Sequence, residues 1–221
     1  MTKPYYFEVY VHVWDGEEHV MSKTWIFSSR IKAKKYIAEN KIYWEALGSC
    51  RISLEAKRLE DGKMPDRDTL SCLLSNASAD VCGVQWWDCD KDEYAAAKAK
   101  VAAELELDSD DQACVEDVWA QMLLDGKKLR LLDPESDWHW SGHKKDEMLW
   151  KHQIVTEGCR PVGGSWHEID LIDILDAAEE YGEQHIAGDC GSDLEKIVED
   201  GDFWDADAVI QIAMYGEVIY G

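Results

Sequence analysis

Residues 5–27 read YYFEVYVHVWDGEEHVMSKTWIF. Phe7, Val9, Val11 and Val13 alternate with Glu8, Tyr10, His12 and Trp14. That is the two-residue period of a strand with one face in a core. Asp15-Gly16 is a hairpin turn signal, and His19 to Phe27 supplies the return strand. Ser28 or Ser29 then caps a helix through Lys32, Lys35, Ala38 and Trp44 to about Leu47, stopped by Gly48. Cys50 to Leu59 alternates again at Ile52, Leu54 and Ala56. The first sixty residues therefore predict β-β-α-β, a small antiparallel sheet crossed by one helix.

Beyond this unit the pattern is mixed. Met64 to Ala79, with Pro65, Asp66, Asn76 and several serines, reads as a loop or linker with a short helix. Val84 to Trp87 is a short strand candidate. Asp92 to Leu107 is Ala-rich and helical, and the acidic run at 108–111 caps a second helix from Gln112 to Leu124. Lys128 to Leu132 and Met148 to Val155 read as strands, Trp138 to His143 is unassigned, and Gly158 to Gly164 reads as a loop. Three helices follow: Glu168 to Tyr181 ended by Gly182, Ser192 to Glu199 with a Ser192/Glu195 capping box, and Asp205 to Tyr215 capped by Asp205 and ended by Gly216. Glu217 to Tyr220 reads as a last strand. The expected class is α+β: a β-β-α-β unit over residues 1–80 and a mixed, mostly helical acidic region over 81–221.

Charge separates these parts. The 221 residues carry 23 Lys and Arg against 46 Asp and Glu, a net of −23. Residues 1–80 are balanced, with 12 of each sign, so the whole excess lies in 81–221. Residues 161–221 hold 16 carboxylates and one cation, Lys196. The total opposes direct binding to nucleic acid and to an anionic membrane. No apolar run approaches the roughly 18 residues of a membrane span, and Met1 to Asp15 lacks a signal-peptide core. The seven cysteines form no CxxC pair, which fits free thiols in a reducing cytoplasm.

At 100° per residue, Asp170, Asp173, Asp176 and Glu180 fall on one face of the helix at 168–181, beside a core arc of Leu171, Ile174, Leu175, Ala178 and Tyr181. With Glu183, Asp193, Asp200 and Asp202 these carboxylates compose an anionic surface that suits nucleic-acid mimicry, offered to a protein with a basic nucleic-acid-binding groove. The competing reading is a solvated acidic face. Eleven tryptophans are many. Trp14, Trp25, Trp44, Trp119 and Trp150 fit the core, while Trp86, Trp87, Trp138 and Trp140 near element ends are candidate anchors for a protein partner.

A strongly acidic, Trp-rich α+β chain of this size resembles the accessory proteins by which phages and mobile elements block restriction or CRISPR systems. The C-terminal DADAVIQIAMYGEVIYG, residues 205–221, is similar to the ends of phage proteins. The resemblance implies an inhibitor that occupies a host defence protein, and it carries over no catalytic residue.

Two constellations bear on chemistry. His139 and His143 stand four apart near Asp137, His152, Cys159 and His167, but Ser141-Gly142 opposes the helix that zinc ligation at this spacing requires. Gly188-Asp189-Cys190-Gly191-Ser192 looks like the nucleophile loop of chymotrypsin-like viral cysteine proteases. The carboxylates around Cys190 raise a thiol pKa, and helices flank it where that fold needs strands. No Gly-rich phosphate loop occurs, so nucleotide-dependent chemistry has no sequence support; no cofactor is expected, and the missing helical frame at His139 and His143 leaves no metal expected either. The expectation is a non-enzymatic inhibitor. A small cysteine- or metal-dependent hydrolase, or an interaction module without mimicry, remains the alternative.

Overall fold

A computed structural model describes residues 4–59, 62–79, 86–107, 113–133, 138–141, 160–185 and 194–219. The chain is α+β and divides into two compact units, Met1–Met64 and Pro65–Gly221.

In the first unit, β1 (Tyr5–Asp15) and β2 (Glu18–Phe27) form the hairpin, turned at Gly16 with φ +61°. Helix α1 (Arg30–Leu47) is capped by Ser29, whose hydroxyl accepts from the Lys32 N–H at 3.4 Å. β3 (Ser49–Arg58) follows. The sheet order is β2-β1-β3 with β1 antiparallel to both neighbours. β2 and β3 are therefore parallel, and α1 is the crossover that parallel strands require. Phe7, Val9, Val11 and Val13 are 0–1% exposed, so the alternation marks the covered face as expected. Removing each from water contributes about 1.5–3 kcal/mol. Trp25, Tyr36 and Trp44 lock α1 to the sheet, with ring centroids 5.5–5.9 Å apart. Gly48 (φ +150°) turns the helix into β3 where a Cβ would stand 2.3 Å from the Trp14 carbonyl oxygen, so only glycine fits.

The second unit holds the three-stranded sheet β4-β5-β8, with β4 Trp86–Asp88, β5 Leu129–Leu132 and β8 Trp166–Ile169. A separate two-stranded ribbon pairs β6 (Trp138–Ser141) with β7 (Arg160–Gly163). Its helices are α2 Arg67–Ala79, α3 Lys91–Glu104, α4 Val115–Leu124, α5 Leu171–His185, α6 Leu194–Asp200 and α7 Phe203–Tyr215. α2 packs on α4 and α7, α3 on α4, and α5 on α7. Trp119, Leu70, Leu73, Leu74, Met122, Leu123 and all but one residue of β5 are fully buried.

Several expectations are corrected. Residues 67–79 form a full helix because Leu70, Leu73, Leu74 and Ala77 recur at helical spacing and are buried, which outweighs the weak propensity of the serines and Asn76. That packing joins α2 to the second unit, so the division falls after Met64 rather than at residue 80. Glu168 belongs to β8, paired with Arg130 of β5, and α5 starts only at Leu171. α5 also runs through Gly182, which is buried inside it. The first helical residue of α7 is Phe203 and its cap is Asp202. Arg160 to Gly163, expected as loop, is a strand, and 217–219 form none. Of the tryptophans expected in the core, Trp44 and Trp119 are buried and Trp14 and Trp25 are half-buried. Trp150, the strand expected at Met148 to Val155 and the Ser192 cap lie outside the described residues.

Candidate protein-binding surface

The acids expected to form one solvated stripe on α5 have different roles. Asp170 precedes the helix and its carboxylate accepts from the Asp173 N–H, while the Asp173 carboxylate accepts from the Asp170 N–H, each at 3.0 Å. This reciprocal pair satisfies two donors at the helix start, where negative charge also suits the helix dipole. Asp176 is 3% exposed and contributes nothing to a surface. It lies about 160° around the axis from the buried Ile174, so the helix is covered on the side where solvent was expected. Glu180 is half-buried, and Glu183 is exposed. The angular arithmetic holds, but the inferred continuous anionic face does not.

The open acids gather instead where α6 passes into α7. Glu199, Asp200 and Asp202 are exposed and nearly consecutive. Neither Glu199 nor Asp200 forms an ion pair among the described residues. Asp202 caps α7, accepting from Trp204 N–H at 2.8 Å and Asp205 N–H at 3.2 Å, and Asp205 answers by accepting from the Asp202 N–H at 2.7 Å. The Tyr181 hydroxyl donates to Asp205, tying α5 to this corner. Burial first, and that hydrogen bond second, hold the Tyr181 pKa well above its ordinary value. At Gly201, a Cβ would meet the Ile197 carbonyl oxygen at 2.2 Å. The corner is thus a fixed turn.

Phe203 and Trp204, the first two residues of α7, are 37% and 47% exposed with ring centroids 4.9 Å apart. Exposed aromatics beside a charged rim have the composition of a binding hot spot. A helix capped at Asp205, as the sequence predicts, leaves both rings outside it, whereas the cap is Asp202. The available signal was Asp202 with an acid three residues on, the spacing of a capping box, which places Phe203 and Trp204 ahead of the core arc beginning at Ala206. Asp207, five residues beyond Asp202, is 4% exposed and accepts from Gln211 Nε2 at 2.6 Å.

The tryptophan candidates are placed by backbone register only: Trp86 opposite Leu132, Trp87 opposite Leu131, Trp138 opposite Gly163 and Trp140 opposite Pro161. Asp193, Cys190, Cys159, His143 and His152 lie outside the described residues. His139 sits in β6 opposite Val162, whereas His167 sits in β8 with Nε2 3.9 Å from Asp133 Oδ2 and its ring edge-on to Tyr215. Among the described residues no three His, Cys, Asp or Glu side chains are grouped to hold a metal ion, and no helix is long and apolar enough to cross a membrane.

Cys50, Cys72, Cys89 and Cys114 are not in disulfides. Cys114 stands at the N-terminus of α4, a position that lowers a thiol pKa where it acts alone. Here burial, and then donation of the thiol proton to Glu116, raise it instead.

No protein-family model matches the chain, and neither a curated protein nor a solved structure matches it.

Proposed function

We propose that the chain is a non-enzymatic cytoplasmic inhibitor, of the anti-CRISPR or anti-restriction kind that phages and mobile elements encode. Its acidic unit occupies the basic groove of a host defence protein that handles nucleic acid. The observation that supports this reading is the way charge follows the structural division. Met1–Met64 has 11 Lys and Arg against 9 Asp and Glu, a net of +2, while Pro65–Gly221 has 12 against 37, a net of −25. Solubility asks for a net charge of only about 2–8 in a small domain, and confining like charge to one unit raises its self-repulsion. An anionic folded surface is attracted to, and competes for, a groove built for phosphates.

The contact surface in this reading is the α6–α7 corner: Glu199, Asp200 and Asp202 steer the approach, and Phe203 and Trp204 anchor it. The test is capture on the immobilised chain at low salt from cells exposed to invading DNA, followed by challenge with duplex DNA and with RNA. The expected result is a nucleic-acid-binding defence protein that nucleic acid displaces and that loses its activity when held. A captured partner indifferent to nucleic acid, or no capture at any salt concentration, overturns the reading.

A further inference from the structure

The face of the first sheet turned away from α1 holds a cavity. α1 covers Phe7, Val9, Val11 and Val13, so the alternate residues of central β1 face away from it: Tyr6, Glu8, Tyr10, His12 and Trp14. Small residues flank the middle of this row, with Ser22 and Thr24 on β2 and Ser53 on β3 opposite His12 or Tyr10. They leave a cavity of about 450 Å³ lined by Tyr10, His12, Trp14, Arg51, Ser53 and Glu55. That volume lies within the range of about 300–1,000 Å³ typical of small-ligand sites.

Its wall is flat. The His12 and Trp14 rings stack with centroids 5.7 Å apart and planes 21° apart, and His19 closes on Trp14 edge-on at 5.9 Å. Gly48 lets the chain pass directly against the Trp14 backbone. The two carboxylates nearby are engaged: Glu8 accepts from the Tyr10 hydroxyl, and Glu55 accepts from Lys57 Nζ at 2.6 Å. Arg51, directly opposite His12 in the register, is exposed and makes no hydrogen bond or ion pair among the described residues. The cavity therefore presents a π-surface and one guanidinium fork with its donors open.

We propose that this cavity binds a mononucleotide, its base stacked on the His12–Trp14 wall and its phosphate held by Arg51. Every base offers a π-face to an aromatic wall, and the planar fork of arginine matches two phosphate oxygens. The negative charge of the whole chain opposes a polyanion, but it resides in the other unit, and this one has a net of +2. A single nucleotide is favoured over a strand because only one open cation lines the cavity. The next ring along β1, Tyr6, is also separated from Tyr10 by Glu8, which would face a second phosphate. This site is independent of the inhibitor reading.

The test is equilibrium titration of the full chain with AMP, adenosine, inorganic phosphate and a short single-stranded oligonucleotide. Saturable one-to-one AMP binding is expected, with adenosine weaker by about tenfold for loss of the charged hydrogen bonds. Arg51→Gln, at an exposed position, should bring AMP down to the affinity of adenosine and leave adenosine unchanged. His12→Ala should weaken both, with unchanged circular dichroism showing that the sheet is intact. Four outcomes overturn the proposal: no saturation by about 5 mM AMP, AMP binding untouched by Arg51→Gln, inorganic phosphate binding as tightly as AMP, or the oligonucleotide binding more than about tenfold tighter than AMP, which would mark a strand track.

Discussion

Asp170 and Asp173 exchange hydrogen bonds across the first turn of α5, each carboxylate accepting the other residue's N–H at 3.0 Å. The same arrangement recurs at α7 between Asp202 and Asp205. Two aspartate pairs at the same three-residue spacing thus close two helices, and half of the acids expected on the α5 stripe are helix caps. Asp170→Ala should lower the unfolding free energy by about 1 kcal/mol, with Asp170→Asn close to wild type because Asn caps as well as Asp. Urea unfolding measures both. An Asp170→Ala variant as stable as wild type would show that repulsion among the acids outweighs the cap.

Two glycines are predicted to resist substitution for different reasons. Gly48 combines φ +150° with a 2.3 Å approach of any added Cβ to the Trp14 carbonyl oxygen, so Gly48→Ala strains the backbone and forces the end of β1 away from it. A loss of at least about 1–3 kcal/mol is expected. Gly201 is limited by contact with the Ile197 carbonyl at 2.2 Å. Gly201→Ala should disturb the α6–α7 turn and the exposure of Trp204. Thermal melting reads the first and fluorescence quenching the second. Wild-type melting of Gly48→Ala would refute the close approach.

Alkaline pH should loosen the second unit. Burial pushes the Tyr94 pKa from its ordinary 10 up to about 12, with negative charge at Cys89, Glu116 and Cys114 adding to it, and Tyr181 is raised as well. The folded chain keeps these protons at a pH where the unfolded chain has released them. Stability from this source is complete below about pH 10 and falls as pH rises from there through the folded pKa. Urea midpoints should drop between about pH 10 and 12, and less steeply in Tyr94→Phe. Equal slopes in the two proteins would remove Tyr94 from the account.

The first unit was legible from its sequence because each element has a local cause. Alternation from Phe7 to Val13, the Asp15-Gly16 turn, Ser29 and Gly48 act within a few residues of where they stand. α2 was hidden because Ser71, Ser75 and Asn76 occupy its outer face, and only the burial of Leu70, Leu73 and Leu74 against α4 and α7 makes it a helix. The acidic site was half legible. Periodicity places Asp176 on the stripe, but burial depends on what covers the helix, and no pattern within 171–185 records that. Asp202 and Asp205 were visible as a capping pair. Choosing Asp202 as the cap would have exposed Phe203 and Trp204 as residues ahead of the core.

Binding kinetics should separate the α6–α7 corner from the α5 acids. If the α6–α7 corner meets a basic groove, its exposed charges act during approach and its rings after docking. Glu199→Gln with Asp200→Asn removes two charges that cap nothing, so stability should stay within about 0.5 kcal/mol of wild type. Association should slow by roughly tenfold at about 0.1 M ionic strength, where screening acts over about 10 Å, and change little at about 1 M, where it acts over about 3 Å. Trp204→Ala should leave the on-rate near wild type and raise the off-rate, because the lost contact forms only in the docked complex. Asp176→Asn, at a position 3% exposed, should leave both rates unchanged. Once a partner is in hand, stopped-flow kinetics at two salt concentrations reads all three variants. If Asp176→Asn slows association while the Glu199/Asp200 pair does not, the partner meets α5 and the corner is only a turn.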